Sequence, residues 1–199
     1  MKIIEQSHQI IHFSTDMLKL IESAGRTCYK SEDKITDNSA IEFANMILKK
    51  QHESVLEHAT ITVRFITNRG VTHELVRHRL CAYSQESTRY VKYDNMEVIK
   101  PVWWDEWTEE QKTIWTEAMQ KSEECYKALI NVGTETQQAR EVLPNSLKTE
   151  IVMTANVREW RHVFSARCSE HAHPQIRSLM LGCLKEFQEK FPVLFDGIK

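Results

Sequence analysis

The clearest short-period pattern in the chain runs through residues 59–67, ATITVRFIT. Ile61, Val63 and Phe65 alternate with polar side chains, and alternate residues of an extended backbone face the same side. This alternation predicts a strand with one buried face. The segment MKIIEQ at the start of the chain predicts a second, short strand, and residues 147–155, LKTEIVMTA, fit either a strand or the start of a helix.

Other segments space their apolar residues three and four apart, which predicts helices with one buried face. The longest, residues 108–132, begins with Thr108 and Gln111 at the positions of a capping box and is followed by Gly133, a common helix-ending residue. Residues 38–51 predict another helix, with Asp37 as its N-cap. Further helices are predicted at residues 14–29, 70–79, 134–141 and 175–191, the last ended by Pro192.

This mixture of elements predicts an α+β fold, and 199 residues suit a single domain over residues 1–199. The chain is 41% hydrophobic and 27% charged with a formal net charge of −2, so we expect no general affinity for nucleic acid. No apolar run has the length of a membrane span, and Glu5, Gln6 and His8 interrupt the N-terminal apolar residues. We therefore expect a cytoplasmic protein without a membrane anchor or signal peptide.

Neither the cysteines nor the histidines show the spacing of a metal site. The five cysteines form no CxxC pair, and their odd number argues against a disulfide framework. His52 and His58 are six residues apart rather than four, and Cys168, His171 and His173 also lack the spacing of zinc ligands. We expect no metal, although a metal-dependent nucleotide hydrolase built on these histidines is one alternative function.

The most unusual composition lies between Val76 and Tyr93, VRHRLCAYSQESTRYVKY. Guanidinium, imidazole and phenol groups are concentrated there, a combination that suits phosphate binding and the stacking of a flat ring. Arg77 and Arg79 are two residues apart and diverge in either a helix or a strand, so we expect them to serve two ligands, or one ligand and a neighbouring subunit. The alternative is that the same arginines and tyrosines bind a nucleotide or RNA in a protein without catalytic activity.

Arg77, His78 and Arg79, followed after seven residues by Ser87, form the pattern RHR-x7-S, and Arg89 and Tyr90 follow directly. This pattern resembles the signature of the flavin-dependent thymidylate synthases. The resemblance implies helices packed on an antiparallel β-sheet and a homotetramer with active sites shared between subunits. It also implies conversion of dUMP to dTMP, with methylenetetrahydrofolate as carbon donor and FAD, reduced by NADPH, as hydride donor.

The resemblance also assigns residues to the flavin. The chain lacks a glycine-rich phosphate turn, so side chains must hold a dinucleotide; we expect Arg77, His78 and Arg79 to neutralise its diphosphate. The element HE-x-x-x-E-H at residues 52–58 resembles a flavin-adjacent family element, although a plain polar turn is the alternative. The full implied flavin set is His52, Ser54, Arg77, His78, Arg79, Gln85, Asn156, Val157, Arg158 and His162.

A second implied set binds dUMP. The segment AREVLP resembles a family element whose arginine, here Arg140, reaches the phosphate, while Glu74 stands where the family commonly has glutamine. Arg167, eleven residues after Asn156, matches an arginine beside the uracil ring, where a permanently charged guanidinium can stabilise negative charge near N3 and O4. Arg167 is therefore the expected catalytic residue. The full implied dUMP set is Glu74, Leu75, Val76, Arg77, Gln85, Glu86, Ser87, Thr88, Arg89, Arg140 and Arg167.

Two potential nucleophiles within the motif are assigned other roles. Cys81 follows Leu80, and a packed, inert cysteine is its expected state. Ser87 has no neighbouring base in the sequence, so we expect it to bind phosphate rather than attack substrate.

Overall fold

The computed structural model describes residues 1–198, which form six strands and eight α-helices. The strands are β1 (Lys2–Ile4), β2 (Ser7–Phe13), β3 (Thr60–Asn68), β4 (Ala82–Gln85), β5 (Glu97–Ile99) and β6 (Lys148–Asn156). The helices are α1 (Met17–Tyr29), α2 (Ser39–Lys50), α3 (Arg69–Leu75), α4 (Glu109–Asn131), α5 (Thr136–Ala139), α6 (Val157–Arg167), α7 (Pro174–Lys190) and α8 (Pro192–Phe195). Short 3-10 segments cover Glu32–Lys34, Glu53–His58 and Arg140–Val142.

Four of the strands form an antiparallel sheet in the order β2, β3, β6, β4, which confirms the expected sheet type. Ile61, Val63 and Phe65 of β3 are fully buried, as the alternation predicts. β6 alternates in the same way, with Ile151 and Met153 fully buried, and is a strand throughout. β1 instead pairs in parallel with β5, placing Ile3 opposite Val98, and the sequence did not predict β5.

Internal packing divides the described chain into two compact units. The first unit comprises Met1–Ser7, Phe65–Arg77 and Ser84–Val152. Its small core is formed by Met96, Val98 and Leu147. Within this unit the buried Glu123 of α4 accepts a hydrogen bond from the Met96 amide at 2.8 Å.

The second unit comprises His8–Arg64, His78–Tyr83 and the chain from Met153 onward. Its core contains an aromatic cluster: Trp160 lies 5.5 Å from Phe164 and 5.1 Å from Phe187, measured between ring centroids. The Trp160 indole N–H donates to the Ile61 carbonyl at 2.9 Å, which joins α6 to β3. The single-domain expectation stays a prediction.

Several element boundaries differ from the predicted ones. The N-cap of α2 is Asn38, so the prediction of Asp37 as the cap was wrong. α3 ends at Leu75, before the motif arginines, and residues 53–58 are 3-10 helical although we did not expect a helix there. The capping box of Thr108 and Gln111 is present in α4, and Gly133 follows it with φ of 90°. Within residues 1–198, no helix has the length and apolar character needed to cross a bilayer.

Candidate active site

The junction between β6 and α6 positions several polar side chains of the second unit. Asn156 ends β6, and its side-chain oxygen accepts a hydrogen bond from the Glu159 amide at 2.8 Å, which caps α6. Trp160 and Val163 face the core and are fully buried. Anchored in this way, α6 holds Glu159 and His162 at fixed positions.

Arg167, at the end of α6, bonds to the histidine of the RHR motif. Its Nε donates to Nε2 of His78 at 2.9 Å. His78 is only 7% exposed, and its Nδ1 lies 3.8 Å from Oε1 of the equally buried Glu159. Because Nε2 accepts a hydrogen bond, the proton of the neutral ring belongs on Nδ1, facing the Glu159 carboxylate.

His78 is neutral at pH 7. Burial, reinforced by the neighbouring Arg167 guanidinium and by His162, lowers the pKa of His78 to about 4. An uncharged imidazole adds no positive charge to a diphosphate site, so this pKa does not favour the expected role of His78 there, and that role stays a prediction. The ring nitrogens of His78 face two protein groups, the Arg167 guanidinium and the Glu159 carboxylate.

Two further motif residues surround His78 and are also uncharged. The Tyr83 hydroxyl donates to the backbone carbonyl of His78 at 3.0 Å, and burial raises the pKa of Tyr83. Cys81 Sγ lies 4.0 Å from Glu159 Oε1, and burial raises the pKa of Cys81 to about 11. A thiol with such a pKa remains protonated at pH 7, so Cys81 is poorly suited to nucleophilic attack.

A broad cavity of about 1010 Å³ opens beside this cluster in the second unit. Its polar lining includes Asn156, Arg158, Arg161 and His162. Arg158 bonds to Glu57 through Nη1 at 2.6 Å and faces Glu53 through Nε at 3.8 Å. Ligand pockets commonly measure roughly 300 to 1,000 Å³, so this cavity has the size of a site for a large cofactor.

Within the first unit, Arg140 and the residues next to Thr88 in the sequence form a second polar group. Arg140 donates through Nη1 to the Thr88 hydroxyl at 3.4 Å, although Thr88 is 5% exposed. The Ser87 hydroxyl accepts the Arg89 amide at 3.3 Å. The Arg89 guanidinium lies 5.4 Å from the centre of the Tyr90 ring, and both residues are exposed. These contacts provide hydroxyl and guanidinium groups of the kind that bind phosphate.

The residues before Ser87 are engaged inside the first unit. The Gln85 amide donates to the hydroxyls of Thr72 and Thr149, at 3.0 and 3.3 Å, and both threonines are fully buried. Glu86 accepts the Tyr93 hydroxyl at 2.7 Å and pairs with Lys148 at 3.2 Å. These bonds fix the backbone that leads to Ser87.

One family model, described as "Thymidylate synthase complementing protein", matches residues 9–193 of the chain. The chain belongs to this family. The match contains the RHR motif, Ser87, Arg140 and the whole of α6. The sequence resemblance to flavin-dependent thymidylate synthases is thereby confirmed at the level of the family.

Curated relatives in the thymidylate synthase complementing protein family are named flavin-dependent thymidylate synthases. The protein of Corynebacterium aurimucosum is 39% identical over 194 residues, covering 89% of this chain and 78% of the relative. The protein of Mycolicibacterium gilvum is 38% identical over 211 residues, covering 95% of this chain and 84% of the relative. The protein of Geobacter sulfurreducens is 34% identical over 195 residues, covering 94% and 84% respectively.

A solved structure of another protein has the same fold as this chain. The UMP/dUMP methylase PolB of Streptomyces cacaoi, bound with 5-Br dUMP, matches 98% of this chain and 96% of its own with a TM-score of 0.82. Its sequence identity is 20%, so the similarity establishes the shared fold alone.

The structure distributes the residues predicted to bind flavin unevenly. Asn156, Arg158 and His162 line the large cavity. Val157 is fully buried, and its amide donates to the Ala59 carbonyl at 2.9 Å, so its side chain presents no exposed surface to a ligand. The other exposed members of the predicted set are His52, Ser54, Arg77 and Arg79. His52 Nδ1 lies 3.3 Å from the Tyr29 hydroxyl.

The predicted dUMP set includes residues with very different exposure. Leu75 is fully buried, so only its backbone is a candidate for a substrate contact, whereas Val76 is 43% exposed. Glu74 is partly buried, and its carbonyl accepts the Arg77 amide at 3.3 Å. Their assignment to dUMP stays a prediction.

Sequence reasoning missed Glu159, the carboxylate that faces both His78 and Cys81. Its position three residues after Asn156 matches a helix-capping pattern, which would have predicted where α6 begins. Nothing in the sequence, however, indicated that Glu159 would face a histidine 81 positions earlier (159 − 78). The acidic partners of Arg158 were missed for the same reason.

In residues 1–198, three side chains approach the geometry of a metal site. None of them is a histidine that the sequence analysis considered as a metal ligand. Ligand atoms of His78, Glu159 and His162 lie within 4.8 Å of one another. Arg167 already occupies the Nε2 lone pair of His78, and its positive charge opposes a cation beside it. This arrangement favours an orienting hydrogen-bond network over metal binding.

Proposed function

We propose that this chain is a flavin-dependent thymidylate synthase that methylates dUMP reductively to dTMP. Asn156, Arg158 and His162, which motif resemblance assigns to flavin, line one cavity, and this observation carries the proposal. Curated relatives at 34–39% identity bear the same name, and the fold is that of a UMP/dUMP methylase. The substrates are dUMP, methylenetetrahydrofolate and NADPH.

The cavity residues fit FAD by chemistry as well as by size. Arg158 and Arg161 supply cationic groups for a diphosphate, in place of the absent glycine-rich turn. Asn156 and His162 supply polar groups for the edge of a flat heterocycle. When bound, reduced FAD supplies the hydride, and the protein contributes binding, orientation and electrostatics.

The phosphate of dUMP is held by Arg140, Arg89 and the hydroxyls of Ser87 and Thr88. The guanidinium groups neutralise the phosphate, and the hydroxyls fix its orientation through hydrogen bonds. Arg89 also retains a stacked position on Tyr90, which restricts its side chain before substrate arrives.

Arg167 acts on the pyrimidine. Negative charge develops near N3 and O4 of the ring during the reaction, and a guanidinium that cannot lose its proton stabilises that charge. Because Arg167 is bonded to a buried group, little reorganisation is required when the charge forms. Cys81 and Ser87 take no covalent part.

The enzyme acts as a cytoplasmic homotetramer whose active sites are shared between subunits. Leu80 directly follows the RHR residues, lines the large cavity and leaves 77% of its apolar surface exposed. A neighbouring subunit would cover it. All five cysteines are free thiols, which suits a reducing compartment.

The visible absorption spectrum of the purified protein is the first test. We expect bound flavin that bleaches anaerobically with NADPH and regains its colour when dUMP and methylenetetrahydrofolate are added, with dTMP formed. Arg158→Ala should weaken FAD binding about tenfold, since a charge-assisted hydrogen bond is lost. Arg64→Ala, a change at an exposed arginine of β3, is the matched control.

Two results would overturn the proposal. One is a colourless protein that does not bind added FAD. The other is a flavin-loaded protein that forms no dTMP. Salt-sensitive binding of long RNA by a flavin-free protein would instead support the nucleic-acid alternative.

A further inference from the structure

We propose that His78 is a positioning residue that orients Arg167 for its contact with the pyrimidine of dUMP. The inference rests on the proposed function and adds a role for the central residue of the RHR motif. Arg167 Nε donates to His78 Nε2 at 2.9 Å. Since Nε lies in the plane of the guanidinium, this bond restricts the plane and thus the direction of the two terminal amino groups.

Glu159 and the capping of α6 make the imidazole a reliable acceptor. The Nδ1–H of His78 faces the Glu159 carboxylate at 3.8 Å, which favours the tautomer whose Nε2 lone pair accepts from Arg167. Asn156 fixes Glu159 through the helix cap, and Tyr83 fixes the His78 backbone. The arrangement therefore extends from β6, through Glu159 and His78, to Arg167.

The neutrality of His78 has a chemical reason. A carboxylate bonded directly to Arg167 would orient it but would also cancel much of its positive charge. A neutral imidazole orients the guanidinium without cancelling its charge, which can then stabilise the negative charge that develops on the pyrimidine. Glu159 faces the Nδ1 edge of His78 at 3.8 Å, whereas Arg167 bonds to Nε2 on the other side of the ring.

A double-mutant cycle on the FAD-loaded enzyme tests this role. His78→Leu removes the acceptor, while His78→Gln retains an acceptor oxygen on a side chain of similar reach. Each change is made in wild-type and Arg167→Ala backgrounds. The measurements are kcat, the KM for dUMP, and dUMP binding followed by flavin absorbance. His12→Leu, at an exposed histidine of β2, is the matched control.

We expect His78→Leu to lower kcat roughly 10- to 100-fold with FAD still bound, the effect of losing a hydrogen bond to a charged group. His78→Gln should restore activity to within about threefold of wild type. In the Arg167→Ala background, His78→Leu should change kcat and dUMP affinity by less than about threefold, because its effect passes through the arginine.

Three results would overturn the inference. His78→Gln could be as inactive as His78→Leu, the effects of His78→Leu could be equal in both backgrounds, or His78→Leu could retain wild-type turnover. In each case wild-type enzyme still forms dTMP, so the proposed function survives. A flavin-loaded wild-type protein that neither binds dUMP nor forms dTMP would overturn the proposed function and this inference together.

Discussion

Arg167 has different surroundings from two other arginines, Arg140 and Arg89. Arg167 is half-buried and donates at 2.9 Å to a buried, neutral histidine. Arg140 makes a longer hydrogen bond, of 3.4 Å, to Thr88, and 39% of its side chain is exposed. Arg89 is also exposed, and its guanidinium lies over the Tyr90 ring. A guanidinium fixed inside the protein suits charge that develops during a reaction. Exposed guanidinium groups suit capture of a phosphate from solvent, where salt screens them.

The largest effect is expected for Arg167→Ala. In its proposed role Arg167 places a pre-oriented charge at the pyrimidine, and loss of that charge should lower kcat about 10²- to 10³-fold. The KM for dUMP should change by only about threefold, because the proposed phosphate contacts of Arg140 and Arg89 are left intact. Steady-state kinetics with a check of flavin content measures both. Wild-type turnover in this variant would contradict a role in the chemical step that sets Arg167 apart from Arg140 and Arg89.

Acid sensitivity should follow from the buried histidine. The pKa of His78 is about 4 in the folded protein and 6.5 in the unfolded chain, so the unfolded state binds more protons between these pH values. The free energy of unfolding should therefore fall by roughly 2 to 3 kcal/mol on acidification from about pH 6.5 to 4, through this group alone.

Urea unfolding at about pH 7.5 and pH 4.5 measures this contribution. His78→Gln should lose less stability than wild type on acidification, while His12→Gln, altered at an exposed histidine, should lose as much as wild type. Equal losses in all three proteins would show that His78 is not held neutral by its surroundings.

Arg140→Ala should raise the KM for dUMP about tenfold and leave kcat within about threefold of wild type, since the proposed ground-state contact with the phosphate is lost. The effect should shrink as salt concentration rises, because the side chain is partly exposed. A salt titration of the KM in both proteins provides the measurement. A fall in kcat without a change in KM would assign Arg140 to the chemical step.

The smallest effect is expected for Cys81→Ala. A thiol with a pKa of about 11 is protonated at neutral pH, so turnover should stay within about threefold of wild type. Activity measured alongside a thermal unfolding curve separates a catalytic defect from a folding defect. A stable variant without activity would reopen covalent catalysis through sulfur.

Local patterns predicted the elements whose information lies within a few residues. The alternation of Ile61, Val63 and Phe65 predicted β3, and the capping box of Thr108 and Gln111 predicted the start of α4. The α2 cap was placed one residue early because Asp37 and Asn38 are both good capping residues. β5 was missed because three residues give no detectable period, and only its pairing with β1 makes it a strand.

The sequence by itself determined the family, through RHR-x7-S, and with it a concentration of residue types suited to phosphate and a flat ring. Only the tertiary structure decided which of them are charged and what they face. His78 has an exposed arginine on each side in the sequence, yet it is buried against Arg167 and Glu159 and is neutral. The physical reason is that desolvation and long-range contacts set a pKa, and neither is encoded in the spacing of neighbouring residues.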